Sequence, residues 1–398
     1  MRWVIIILLS LFLILGLGGC WDRRELNDIT FVAGMAIEKG KTANYEITLE
    51  VINASQLNPK TAQGNTPTVS FSLEGDTISE IDDKMNIGLT RQLDFSHTRT
   101  IVIDEALARE GVGPFLQYIE RSAEFRNDFH LLIAKDVKAK EIIKTLYPVQ
   151  LVPSMKLDVQ LKSLAEEWGG YPEVRFIEFT SNIASDGRQP VAAVVSIEGD
   201  PSKGETVQNN QKASLEANVV VDGLAIFDED KLIGMLSIEE ARNYVWTQDI
   251  QKTTVIADCN PDQFFSVRIF NSHTEIKASY QGEQPVILIK LVLEGELQST
   301  QCAKDETSKI KTFEKYEKIL AEEIPRMITT TIGKVQEQYG VDIFGFGEEM
   351  ERQQYKKFKS VKSKWNDEFK RAKIDVEAKV FIRRDGIRNE SFIQELGK

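Results

Sequence analysis

The chain has 398 residues, 42% of them apolar and 28% charged, and a formal net charge of −12. An acidic surface argues against nucleic acid and against broad electrostatic adhesion to anionic lipid, since both need basic patches. The length allows two or three domains with cores of their own, and the even spread of Val, Ile, Leu and Phe excludes a disordered chain.

The first stretch places Arg2 before an apolar run from Val4 to Leu17 that closes on Leu17-Gly18-Gly19-Cys20. A basic end, a short apolar middle and a small-residue cleavage site are the order of a secretory signal. A leucine three positions before a cysteine, with two glycines between, is the pattern of a bacterial lipoprotein box. Residues 1–19 therefore read as a signal peptide and Cys20 as the acylated mature N-terminus. An uncleaved transmembrane anchor is the alternative, but the fourteen residues from Val4 to Leu17 would rise only about 21 Å against a hydrocarbon core of about 30 Å. Two acyl chains hold a protein on a bilayer durably, each buried methylene contributing about 0.8 kcal/mol.

Past the leader, residues 30–37 and 45–52 have strand patterns joined by a hairpin at Lys39-Gly40-Lys41. Residues 53–68 form a polar loop before a short strand at 69–73. Asp76 or Thr77 caps a helix carrying Ile78, Ile81, Met85 and Leu89. Strand 98–103, helices 105–109 and 114–124, strand 129–134 and helix 139–146 then alternate, so residues 20–190 read as an N-terminal α/β domain. Polar, turn-rich residues 199–212 introduce a small middle domain, 191–250, that depends on its neighbours. It has a hairpin of 217–227 and 231–236, then a helix from Ile238 to Trp246 with Ser237 and Glu240 as capping box.

The C-terminal α+β domain, 251–398, starts with strands at 253–257, 263–269, 274–279 and 285–297. A helical stretch follows from Asp305 to Tyr339, with Phe313, Leu320, Ile324, Met327 or Ile328, Ile332 and Val335 at helical spacing. Pro325 is expected to break or kink it. After basic, helical residues 356–371, a strand at 374–382 closes the chain. The fold class is α+β, with several domains, mixed sheets flanked by helices, and a C-terminal antiparallel sheet packed on a long helix.

Four stretches carry a resemblance. Cys20-Trp21-Asp22-Arg23-Arg24-Glu25-Leu26 resembles the mature start of the C subunit of spore germinant receptors, the Ger(x)C lipoprotein family. Phe95-Ser96-His97, then Gly223-Leu224-Ala225-Ile226-Phe227 with Lys231-Leu232-Ile233-Gly234, and Asp342-Ile343-Phe344-Gly345-Phe346-Gly347 agree in order and spacing. The resemblance implies a non-enzymatic, lipid-anchored receptor subunit on the outer face of the cell membrane, at the spore inner membrane. It also implies two integral membrane partners, of A and B type.

The residues themselves offer little chemistry. Only His97, His130 and His273 are present, and no zinc, serine-hydrolase, P-loop or dinucleotide motif occurs, so no cofactor or metal is expected. His97 reads as a polar side chain closing a strand end. Asp228-Glu229-Asp230 reads as a solvated turn, and Arg121, Glu124, Arg126 and Asp128 as a salt-bridged edge. The Lys356 to Lys364 cluster reads as a solvated helix face, with anionic headgroups as the alternative. Cys259 and Cys302 could pair across 43 residues, but each lies in a polar, turn-like stretch, so two free thiols are the default expectation. In the motif formed by Asp342, Phe344, Gly345, Phe346 and Gly347, an extended backbone would point the two rings to opposite sides. One would then face the core, and the other would await a neighbouring domain or a partner. The competing functions are a lipid-anchored solute-binding protein, which needs two doubly wound lobes around a cleft, and an envelope hydrolase with paired carboxylates.

Overall fold

The computed structural model describes residues 2–3 and 28–384, apart from 59, 61, 250–251 and 303–304. The lipoprotein box, Cys20 and the Cys-Trp-Asp start lie outside the described residues.

The first hairpin is β1 (Ile29–Lys39) with β2 (Tyr45–Ile52). A single helical turn, α1 (Ala54–Leu57), interrupts the polar loop before β3 (Thr68–Gly75). Thr77 caps α2 (Ile78–Met85) by accepting from Glu80 N–H, and Ile78, Ile81 and Met85 are the residues it buries. There follow β4 (Gln92–Asp94), β5 (Thr100–Asp104), α3 (Glu105–Glu110), α4 (Gly113–Arg121), β6 (His130–Ala134) and α5 (Ala139–Lys144). Two helices with no counterpart in the sequence reading, α6 (Pro153–Glu167) and α7 (Phe176–Ile183), fill the stretch up to β7 (Val191–Gly199). Short turns α8 (Pro201–Gly204) and α9 (Val207–Asn210) lead to β8 (Ala217–Asp228), β9 (Lys231–Leu236) and α10 (Ile238–Val245).

These strands form one sheet in the order β3-β2-β1-β5-β6-β7-β8-β9, with β4 beside β1. Strands β1, β5, β6 and β7 run parallel and the flanks are antiparallel. Ile101 to Ile103 and Val191 to Val195 are buried without a polar interruption, as befits strands covered on both faces. The sheet runs across residue 190. The polar stretch 199–212 is the return from β7 to β8, whose ends pair at Gly199 and Ala217, so residues 191–236 extend the first sheet rather than form a unit beside it.

The second sheet is β10 (Thr253–Asn260), β11 (Gln263–Gln281), β12 (Gln284–Thr300) and β13 (Lys373–Arg384). The two strands expected at 263–269 and 274–279 are one. A register shift between Ile269 and Asn271 moves the inward positions from Phe265, Val267 and Ile269 to Ile276 and Ala278, and so conceals their continuity. Strands β10 to β12 are antiparallel, whereas β13 joins parallel to β12. A long crossover permits that geometry: α11 (Ile310–Lys334), a π-turn at Val335–Tyr339, α12 (Phe346–Val361) and α13 (Trp365–Lys370).

Helix α11 buries Tyr316, Leu320, Ile324, Ile328 and Ile332 against Ile287, Ile289, Leu291 and Leu293 of β12. Of the break or kink expected at Pro325, the break does not occur: the helix runs through it. Proline removes one backbone donor, and the buried side chains on both sides of it hold the helix in register. The core under α11 is continuous with one face of the first sheet through Val102, Leu132, Ala193 and Val195. The opposite face of that sheet has its own core beneath α2, α4 and α7.

The expected free thiols are instead a disulfide: Cys259 and Cys302 are bonded, with Cα atoms 6.4 Å apart. Residue 259 closes β10 and residue 302 follows β12. Both flank the middle strand β11, which brings two turn-like stretches within bonding distance.

Candidate functional site: a buried aspartate turn between the two sheets

The motif at 342–347 is built around one buried carboxyl. Asp342 is fully buried. Its Oδ1 accepts from the N–H groups of Phe344 (2.9 Å) and Gly345 (3.0 Å), and its Oδ2 from Gly347 N–H (2.8 Å) and Trp365 Nε1–H (2.8 Å). Burial pushes the carboxyl up to about 6, while the Trp365 indole, the Gly347 and Phe344 N–H groups and the Arg188 guanidinium favour the charged form. All four of its hydrogen-bond partners are N–H donors, so the carboxyl serves only as an acceptor.

The backbone it holds is not extended. Gly345 sits at φ 81°, in the left-handed region where a side chain is disfavoured. That turn brings both rings to the same side, correcting the expectation of opposite faces: Phe344 and Phe346 are both buried and stack 5.2 Å apart at 13°. Phe369 of α13 lies 6.3 and 6.2 Å from them, and Tyr244 of α10 lies 5.6 Å from Phe344. Gly347 lies against Gly187, where a Cβ would come within 2.5 Å of the facing Cα.

The turn is clamped from two sides. Gln189, just before β7, donates its N–H to Asp342 O at 2.7 Å, and Gln248 Nε2 donates to Phe344 O at 3.1 Å. Arg188 Nη2 donates to Tyr244 Oη at 2.8 Å and to Gln248 Oε1 at 2.6 Å. From the other side come the Trp365 indole and Asn366 Oδ1, which accepts from Asp342 N–H at 3.2 Å. Gly187, Arg188 and Trp365 carry no local sequence signal, because only the tertiary fold brings them to the motif.

Other sequence candidates lie apart from this turn. Exposed His97 packs its ring 4.6 Å from Phe31, while Ser96 Oγ lies 2.9 Å from its Nδ1. Phe95 is buried 4.7 Å from Phe125. His130 is buried, with Nδ1 3.1 Å from Val174 O and Nε2 3.4 Å from Asp158 Oδ1. The turn Asp228-Glu229-Asp230, expected to be solvated, clips the start of α4: Asp230 Oδ2 accepts from Gly113 N–H at 2.8 Å and its carbonyl from Val112 N–H at 2.9 Å. In the expected salt-bridged edge, Arg126 pairs with Asp128 at 3.1 Å. From the lysine cluster, Lys362 pairs with Asp186 at 2.6 Å and Lys357 with Glu283 at 3.2 Å, so part of that face is used within the chain.

A second buried carboxyl, Glu50 of β2, acts as a distant cap for α6. Its Oε2 accepts from Ser154 N–H at 3.1 Å and from the Ser154 hydroxyl. Burial pushes it up to about 8.

Two open grooves lie near these elements. One of about 730 Å³ runs between Thr247–Asp249, residues 273–278 of β11, and α12. Along it Gln353 accepts from Ala278 N–H and donates to Ile276 O, both at 2.8 Å, so a side chain takes the place of a neighbouring strand. The other, about 500 Å³, lies beyond the carboxyl ends of β5 and β6. Its charges pair with each other, Lys138 with Asp104 at 3.0 Å and Arg109 with Glu105 at 2.8 Å.

Fold and site together define an α+β protein of two mixed sheets whose buried aspartate motif is used for packing. The chain belongs to the Ger(x)C family of spore germination proteins. Residues 22–197 match the family described as Spore germination protein N-terminal domain, and residues 222–386 match Spore germination B3/GerAC like, C-terminal. It is 29% identical to Spore germination protein KC of Bacillus subtilis (strain 168) over 397 residues, 98% of this chain and 97% of that one. It is 22% identical to Spore germination protein B3 of the same organism over 380 residues, 93% and 95% of the two chains. In fold it is similar to the crystal structure of the GerBC protein, with a TM-score of 0.56 and 19% identity over 91% of this chain and 100% of that one.

Proposed function

We propose that the chain is a non-enzymatic, lipid-anchored subunit of a nutrient germinant receptor, acting beside integral membrane subunits of A and B type to trigger spore germination. The observation that carries this reading is the match to both family models in order, across nearly all of the described fold. The Cys259–Cys302 disulfide supports an exported domain, because such bonds persist in oxidising compartments. Use of the buried carboxyls supports a role without catalysis: Asp342 organises a turn, Glu50 caps a helix, and Glu38 pairs with Lys140. A solute binder would close two lobes around a cleft, whereas here the second sheet shares a core with the first.

The test is purification of the detergent-solubilised chain from spore membranes. A- and B-type subunits should accompany it, and its intact mass should include a diacylglycerol adduct on residue 20. Cys20→Ala should leave an unprocessed precursor and abolish the nutrient response. Recovery of an unacylated chain without membrane subunits would refute the proposal.

A further inference from the structure

Strand β1 begins at an open groove of about 590 Å³, lined by Ile29, Phe31, Val51, Val69, Phe71 and Leu89 and rimmed by the polar Thr30, Asn53, Ser55, Thr90 and Arg91. Three large apolar side chains project to solvent from the segments that build this groove or adjoin it. Leu57 on α1 is 37% exposed, Val69 on β3 41%, and Ile87 between α2 and β4 84%. The strand register places Val69 at one end of the first sheet, where Val69 pairs with Val51 and Val51 with Val32; Leu57 follows the end of β2 at that edge, and Ile87 leads into β4, which lies parallel to residues 29–31. The β1–β2 hairpin at Gly40 and Lys41 is at the other end, ten residues further along β1. At about 3.3 Å per residue the two ends are about 33 Å apart.

We propose that this apolar end of the first sheet is the bilayer-facing surface of the protein, with Leu57, Val69 and Ile87 resting in the interfacial layer. The proposal rests on the reading of Cys20 as the acylated residue. Eight residues separate Cys20 from Ile29, and the nine steps between them span at most about 32 Å when fully extended. The end of the sheet that carries the exposed apolar groups is thus the end the tether holds near the membrane. A tether of that length also keeps the effective concentration of lipid high, so a contact too weak to recruit the free protein still forms. Burying apolar side chains at the headgroup boundary is favourable in proportion to the area covered. The hairpin at residue 41 then points away from the bilayer, and the rest of the surface is left for other contacts.

The test uses the full-length acylated chain, purified from membranes and reconstituted into vesicles of phosphatidylcholine and phosphatidylglycerol. Nitroxide labels are placed on Ile87→Cys, Val69→Cys and, as the distal control, Lys41→Cys. All three positions are exposed, so the substitutions leave the core intact. The expected result is a many-fold higher accessibility to oxygen relative to an aqueous nickel chelate at 87 and 69 than at 41. Aqueous readings at all three positions, with the adduct on residue 20 present, overturn this proposal and leave the anchor standing. Shielding of 87 and 69 from both reagents overturns it too, since the groove is then filled by protein, either the preceding segment or a second copy. If residue 20 carries no adduct and the chain does not float with the vesicles, the anchor reading falls and this proposal with it.

Discussion

Asp342→Asn is the substitution that best tests the buried turn. The amide keeps one oxygen, which can still accept from Phe344 and Gly345, but it puts an NH₂ donor where Oδ2 now faces Gly347 N–H and Trp365 Nε1–H. Two bonds are lost and two buried donors are left facing a third. At about 1–3 kcal/mol for each unsatisfied buried group, the cost is about 2–6 kcal/mol, a large share of the 5–15 kcal/mol typical of a folded protein. Trp365→Phe removes one donor while leaving the carboxylate its other three, so it should cost less than Asp342→Asn. Urea unfolding of the chain from residue 20 onward, followed by far-UV dichroism, gives both values. An Asp342→Asn midpoint within error of wild type, at unchanged slope, would show that the four bonds do not organise the turn.

Three further outcomes follow from the same packing. Phe344→Ala and Phe346→Ala should each cost about 3–5 kcal/mol, because both rings are buried, and the double variant should cost less than the sum, because they stack on each other; a near-wild-type unfolding curve for either would place that ring outside the core. Cys302→Ser should destabilise by about 4 kcal/mol on loop-closure entropy for cysteines 43 residues apart, and unfolded, unreduced wild-type chain should give no thiol at 259 or 302; titration of two thiols there would refute the bond. Glu50 has a folded-state pKa of about 8, above its ordinary value of 4.5, so folding favours its protonated form. Its contribution to stability is complete below about pH 4.5 and is lost as pH rises through 8, at up to about 1.4 kcal/mol per pH unit. Glu50→Gln should remove that component, and an unchanged difference in stability between pH 5 and pH 8 would refute the assignment.

How much of this was legible in the chain depended on how local the cause was. The hairpin at residues 39–41, the Thr77 and Ser237 caps and the stripe from Leu320 to Ile332 depend on neighbours in sequence, and each is where its pattern put it. Helices α6 and α7 were not read from the sequence, and their first turns are tied down from a distance: Glu50 holds Ser154, and Phe129 O accepts from Phe176 N–H at 2.9 Å. The β11 register shift broke the alternation that marks a single strand, and the approach of Cys259 to Cys302 exists only once β10, β11 and β12 lie side by side. The same division runs through the site. Asp342, Phe344, Gly345, Phe346 and Gly347 stand out as a motif, but their geometry turns on Trp365, Gly187 and Arg188, which nothing nearby announces. An extended Phe-Gly-Phe must split its rings between two faces, whereas Gly345 in the left-handed region lets the chain fold both onto Phe369. The motif that most resembled a docking surface therefore has both of its rings buried in the protein's own core.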